Sequence, residues 1–205
     1  MTDKSKIRKE YEGVGRIIRD YFRAYGGWGS LLRSVYLHLS IVITLILYPI
    51  WSVEGWWDTP ASILPNVIGF SLGGYAILMG FGDESFRDAL KGSTKERASP
   101  FLAVSATFVH FILVQILALL LCLIAKGRML SKAPQPLDSL VNLALSPDGA
   151  IRHGFVSIAW ALGFGTFIYA IVLTMAATFG VFRLSMWYDR SPKKNTDGTP
   201  PRLGN

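Results

Sequence analysis

What constrains this chain most is where it carries no charge. Residues 35–53, 61–81, 101–125 and 154–182 hold 94 of the 205 residues and none of the 35 Asp, Glu, Lys and Arg side chains. An amphipathic helix of a soluble domain turns a polar face outward every three or four positions, so uncharged runs of 19, 21, 25 and 29 residues belong in lipid. A hydrocarbon layer about 30 Å thick takes roughly 20 helical residues, and backbone N–H and C=O groups there must be paired within the chain. The pattern predicts an all-α, polytopic membrane protein with four transmembrane helices over these four runs. A soluble enzyme, a secreted disulfide scaffold and a disordered chain are all excluded. The 51% hydrophobic content alone would not have decided this, because it averages the spans with 111 residues that carry every charge.

Pro49 falls near the far end of the first run and Pro65 early in the second, positions where a missing N–H does least damage. About 30 polar and basic residues precede the first run without a cleavage pattern, so no signal peptide is expected. Lys and Arg divide 17 to 4 between alternate sides of the four spans. By the positive-inside rule both termini and the 82–100 loop are cytoplasmic, and the 54–60 and 126–153 loops lie outside, as in a bacterial inner membrane. Acidic residues divide 10 to 4 in the same sense, so the net charge of +7 lies wholly on the cytoplasmic face. Trp28 and Trp187 fall at the inner boundary and Trp51, Trp56 and Trp57 at the outer one, while Trp160 alone lies within a span.

Three regions follow: a juxtamembrane segment over 1–30, a transmembrane domain over 31–183 and a polar tail over 184–205 that reads as disordered. In the first, Ile7, Tyr11, Val14, Ile18, Tyr21 and Tyr25 recur at steps of four and three and form one apolar stripe. Arg16, Arg19 and Arg23 fall opposite. Such a helix suits an inner leaflet rich in anionic lipid, or else packs its stripe on protein, and Gly26, Gly27 and Gly29 form its hinge. Asp83 and Glu84 read as the first turn of a short cytoplasmic helix whose Phe86 and Leu90 share a docking face. In the outer loop Leu137, Leu140, Val141 and Ala144 make a second, smaller stripe.

Chemistry-bearing residues are few. Gly69-Phe70-Ser71-Leu72-Gly73 fits G-x-S-x-G, but a nucleophile elbow needs a strand, a strained turn and a helix, and this pentapeptide lies inside a span. A Ser71–His110 dyad broadly similar to that of rhomboid proteases is the enzymatic alternative, since both residues sit at comparable depth. Against it stands a bland reading of Gly69, Gly73, Gly74, Gly163 and Gly165 as small-residue faces for close helix packing, with Ser71 bonded to its own backbone. Asn66, His110 and Gln115 are the polar side chains deep in spans. They read as inter-helical hydrogen-bond partners or, in a third alternative, as the lining of a small-solute channel or transporter. No span holds a carboxylate, which disfavours ion-coupled transport. Cys122 is alone, and no metal-ligand spacing, phosphate loop or dinucleotide fingerprint occurs, so no metal or cofactor is expected. Nucleic acid is not an expected partner either, because lipid accounts for the basic face more simply.

In size and topology the chain resembles small four-span subunits of bacterial defence and stress systems. The small-residue faces at Gly69, Gly73, Gly74, Gly163 and Gly165, with the docking-type surfaces of the N-terminal helix and the 83–91 helix, give the expectation of a non-catalytic, homo-oligomeric inner-membrane protein, a sensor, anchor or pore-type subunit with a cytoplasmic protein partner.

Overall fold

The computed structural model describes residues 3–80, 100–127 and 150–190, and every regular element among them is an α-helix. In chain order these are α1 (Asp3–Tyr25), α2 (Gly27–Leu32), α3 (Val35–Ile46), α4 (Tyr48–Trp51), α5 (Asp58–Gly80), α6 (Pro100–Lys126) and α7 (Ala150–Arg190). Three of them contain segments long and apolar enough to cross a membrane: Asp58–Gly80, Phe101–Lys126 and Gly154–Met186. Their termini follow local chemistry. Asp58 places an acid in the first turn of α5, and Pro100 opens α6 at the position where a missing N–H costs nothing. Pro65 lies inside α5, further along than an Ala61 start would put it.

The first apolar run departs from expectation. Residues 35–53 do not form one long helix: α3 is 12 residues, about 18 Å at 1.5 Å per residue, and α4 is a single turn. The break falls at Leu47 (φ −84°, ψ 17°), two residues before Pro49, whose ring nitrogen has no hydrogen to offer the carbonyl of Leu45. The indole N–H of Trp51 folds back and donates to the Thr44 carbonyl at 2.8 Å, the acceptor that the Tyr48 N–H would use in an unbroken helix. A proline near a span's end therefore did more than the sequence argument allowed.

The last helix departs in the other direction. It is described as far as Arg190, past the residue 184 at which the tail was expected to begin. Gly26 (φ 104°) separates α1 from α2 and Gly27 (φ 69°) opens α2, while Gly29, the third glycine expected in a hinge, lies within α2. Outside the described residues are positions 81–99 with Asp83, Glu84, Phe86 and Leu90, the second apolar stripe at 137–145, and residues 191–205.

The chain divides into two compact units. One comprises residues 32–73 and 111–175. Its core joins Trp51, Trp56 and Trp57 to Leu64 of α5, Ala118 and Cys122 of α6, and Phe164, Phe167, Ile168, Ala170 and Val172 of α7. The three tryptophans expected at the outer headgroup level are thus covered by protein. Trp160, which looked anomalous inside a span, packs edge-on against Trp57 with ring centres 5.8 Å apart. An exposed ion pair, Asp58 to Lys126 at 3.0 Å, ties the start of α5 to the end of α6. The other unit comprises residues 1–31, 74–110 and 176–205; within it Leu78, Ala106, Phe108, Ala177 and Leu184 are buried.

Candidate functional site

Two features of the described residues carry chemistry that packing alone does not explain, one on α1 and one on α5. On α1, residues Lys9 to Asp20 are exposed except for the half-buried Gly13. Arg16, Arg19 and Arg23 are among the exposed residues, as are Tyr11, Val14 and Ile18 of the apolar stripe. Among the described side chains of the stripe, Tyr21 and Tyr25 in its last turn are half-buried. Tyr21 and Tyr25, one helical turn apart, both reach His110 of α6. The Tyr21 hydroxyl lies 2.6 Å from His110 Nδ1, and the Tyr25 ring stacks on the imidazole with centroids 4.0 Å apart at 24°. His110 is buried, at 6% exposure. Burial, with the neighbouring Tyr25 as a smaller cause, pushes the Tyr21 hydroxyl up to about 12, so it keeps its proton at any physiological pH. The hinge glycines follow at once, braced by Phe22 edge-on to Trp28 at 5.3 Å and by the Ser30 hydroxyl donating to the Gly26 carbonyl at 3.1 Å.

The expectation for His110 was an inter-helical hydrogen bond or a place in a polar pathway. One partner lies on the N-terminal helix, 89 residues away in sequence. Two sequence signals pointed there: the only hydroxyl-bearing aromatics at the end of the stripe, and a buried imidazole in need of a donor or acceptor. Deeper in the same unit, the Tyr75 and Ser105 hydroxyls share a bond of 2.9 Å and Tyr75 stacks on Phe108.

The face of α5 is the second feature. Pro60, Leu64, Ser71 and Leu78 turn inward and are buried. Thr59, Ser62, Asn66, Gly69, Gly73, Ala76 and Gly80 are all exposed, at alternating steps of three and four. At 100° per residue these seven fall within about 100° of one another, on the side opposite the buried face. A Cβ added at Gly69 or Gly73 would meet nothing within 4 Å. The five glycines expected to serve one purpose therefore divide. Gly163 is internal, since a Cβ there would lie 2.8 Å from the Trp56 ring, and Gly165 faces Thr44 at 3.5 Å. Gly69 and Gly73 face away from the fold, and Gly74 is half-buried with open space beside it.

The remaining candidates are scattered. Ser71 donates to the Val67 carbonyl of its own helix at 2.7 Å, the bond the packing reading gives it, and it belongs to the unit that does not contain His110. Gln115 is fully buried, and neither its amide oxygen nor its nitrogen has a hydrogen-bond partner; the same holds for the Trp56 indole nitrogen. Asn66 is exposed, so it does not converge with Gln115 on one lining. No group of three or more His, Cys, Asp and Glu able to hold a metal occurs among the described residues. No protein-family model, curated protein or solved structure matches the chain.

Proposed function

We propose that the chain is a non-catalytic, multi-pass subunit of a bacterial inner membrane that self-associates through the outward face of α5 and anchors or informs a cytoplasmic partner. The observation that carries this reading is Asn66. An amide exposed on a helix of membrane-crossing length faces hydrocarbon unless a neighbour accepts and donates to it, and a polar group left unpaired there costs several kcal/mol. Flanking Ser62, Gly69, Gly73 and Ala76 allow a second backbone to come close enough to supply that partner. Steps of three and four suit a left-handed crossing near 20°.

Two further elements complete the reading. The distribution of Lys and Arg favours cytoplasmic termini, and α3 with α4, bent at Leu47, make the fourth crossing. The arginines of α1 and its exposed Tyr11, Val14 and Ile18 then meet anionic headgroups of the inner leaflet. Native mass measurement of the full chain in lipid nanodiscs tests the central step. A defined oligomer that becomes monomeric in the Gly69→Leu, Gly73→Leu double variant is expected; a strictly monomeric natural chain overturns the proposal.

A further inference from the structure

We infer that residues 9–20 of α1 are a lipid-responsive segment, helical on an anionic bilayer surface and unwound on a neutral one, with Gly13 and Gly15 setting the balance. The inference rests on the reading that α1 meets anionic headgroups, and adds what that lipid does to the segment. It does not depend on self-association through α5. The structure shows α1 in its helical form, with Tyr21 and Tyr25 of the last turn seated against His110 of α6.

The two glycines carry the argument. Gly163 answers to a close neighbour and Gly26 to a left-handed φ. Gly13 and Gly15 answer to neither: both lie inside α1, neither has a positive φ, and a Cβ added at either would meet nothing within 4 Å. What they do change is helix stability. Glycine in place of alanine lowers the ratio of helix to coil by about fivefold, so the pair lowers it by roughly 25-fold. A stretch of a dozen residues is marginal as a helix in water even without that handicap, because most helical stability comes from packing one face. Little of the segment is packed: Lys9 to Asp20 are exposed apart from half-buried Gly13, and Tyr11, Val14, Ile17 and Ile18 are each more than half exposed.

Charge and shape select the surface that completes the helix. At 100° per residue Tyr11, Val14, Ile17 and Ile18 fall within about 120° of one another, and Lys9, Arg16, Arg19 and Arg23 are centred on the opposite side. Residues 3–25 carry seven Lys and Arg against four Asp and Glu. A coil is attracted to anionic lipid as well, but only the helix holds the apolar arc in the headgroup layer while the basic side chains reach phosphates. Each Lys or Arg near an anionic surface strengthens binding by about fivefold, so three engaged together outweigh the 25-fold handicap of the glycines. A neutral bilayer lacks that contribution, and the segment unwinds there as far as the anchored last turn.

Cα chemical shifts of residues 9–20, measured by NMR on the isotope-labelled full chain in nanodiscs, report helix against coil. Coil is expected to predominate in phosphatidylcholine discs and helix in discs that also contain phosphatidylglycerol, with Tyr21 and Tyr25 helical in both. The Gly13→Ala, Gly15→Ala double variant, whose helix-to-coil ratio rises by roughly 25-fold, is expected to be helical in either lipid. A phospholipid with a paramagnetic headgroup separates this inference from the reading beneath it, because it broadens the signals of residues that touch headgroups. Equal helix content of the natural chain in the two lipids overturns the inference. If residues 9–20 are nonetheless broadened in the anionic discs, α1 still rests on headgroups; if they are not, that reading fails too and protein covers the stripe. An unchanged lipid response in the double variant overturns the role given to the glycines.

Discussion

Gly163 and Gly73 look interchangeable in the sequence and are opposites in the fold. Even one methyl at Gly163 would press on the Trp56 ring, whose edge is 2.8 Å from where the Cβ must go. Gly163→Ala is therefore expected to lower the stability of the folded chain by about 1–3 kcal/mol, as overpacking does, read from thermal unfolding in detergent. Gly73→Ala meets open space and should leave monomer stability unchanged or slightly raised, since alanine is the better helix former by about 0.5–1 kcal/mol. Gln115 supplies a different residue-level test. Its amide is fully buried with both polar atoms unbonded, so Gln115→Met, which keeps the volume and removes the polarity, is expected to raise the unfolding temperature. A fall would show that the amide makes a bond in the membrane. None of this was legible from composition: small residues advertise close approach but not whether the approaching surface belongs to the same chain.

At the scale of elements, α1 and α3 are where reading the sequence and folding it diverge. The apolar stripe of α1 is real, yet periodicity counts all six members alike, and only tertiary contact separates Tyr21 and Tyr25, which grip His110, from Tyr11, Val14 and Ile18, which stay exposed. The grip has an alkaline limit whose sign follows from the tyrosine. Detached, Tyr21 ionises near 10; clasped, it does so near 12. Attachment is therefore fully present below pH 10 and weakens as pH climbs from 10 towards 12, which tyrosinate absorbance compared with Tyr21→Phe would register. For α3 the apolar run was visible but its interruption was not, because the cost of Pro49 depends on whether the freed carbonyls find other donors. The Thr44 carbonyl does, in Trp51. Trp51→Phe keeps the ring and removes that N–H, and is expected to cost about 1–3 kcal/mol in chemical unfolding by leaving a buried acceptor unpaired.

For the whole molecule, three membrane-length helices follow from charge-free runs because hydrocarbon leaves the backbone almost no alternative to helix. Their partners were less accessible to sequence reasoning. The tryptophans assigned to headgroups form part of a protein core, and the polar residues grouped by depth as a lining are split between a buried Gln115 and an exposed Asn66. Depth is set by position along the sequence, whereas facing is set by which helices pack, and α5 presents Thr59, Ser62, Asn66, Gly69, Gly73, Ala76 and Gly80 outward along one face. Disulfide trapping along that helix tests the central claim most directly: single cysteines placed in turn at positions 62 to 76 of the full chain in native-like membrane, with Cys122 replaced by Ala. The account predicts cross-linked dimer peaking at 62, 66, 69, 73 and 76 and falling between them. A flat profile, or maxima on the flank at 65 and 72, would contradict it.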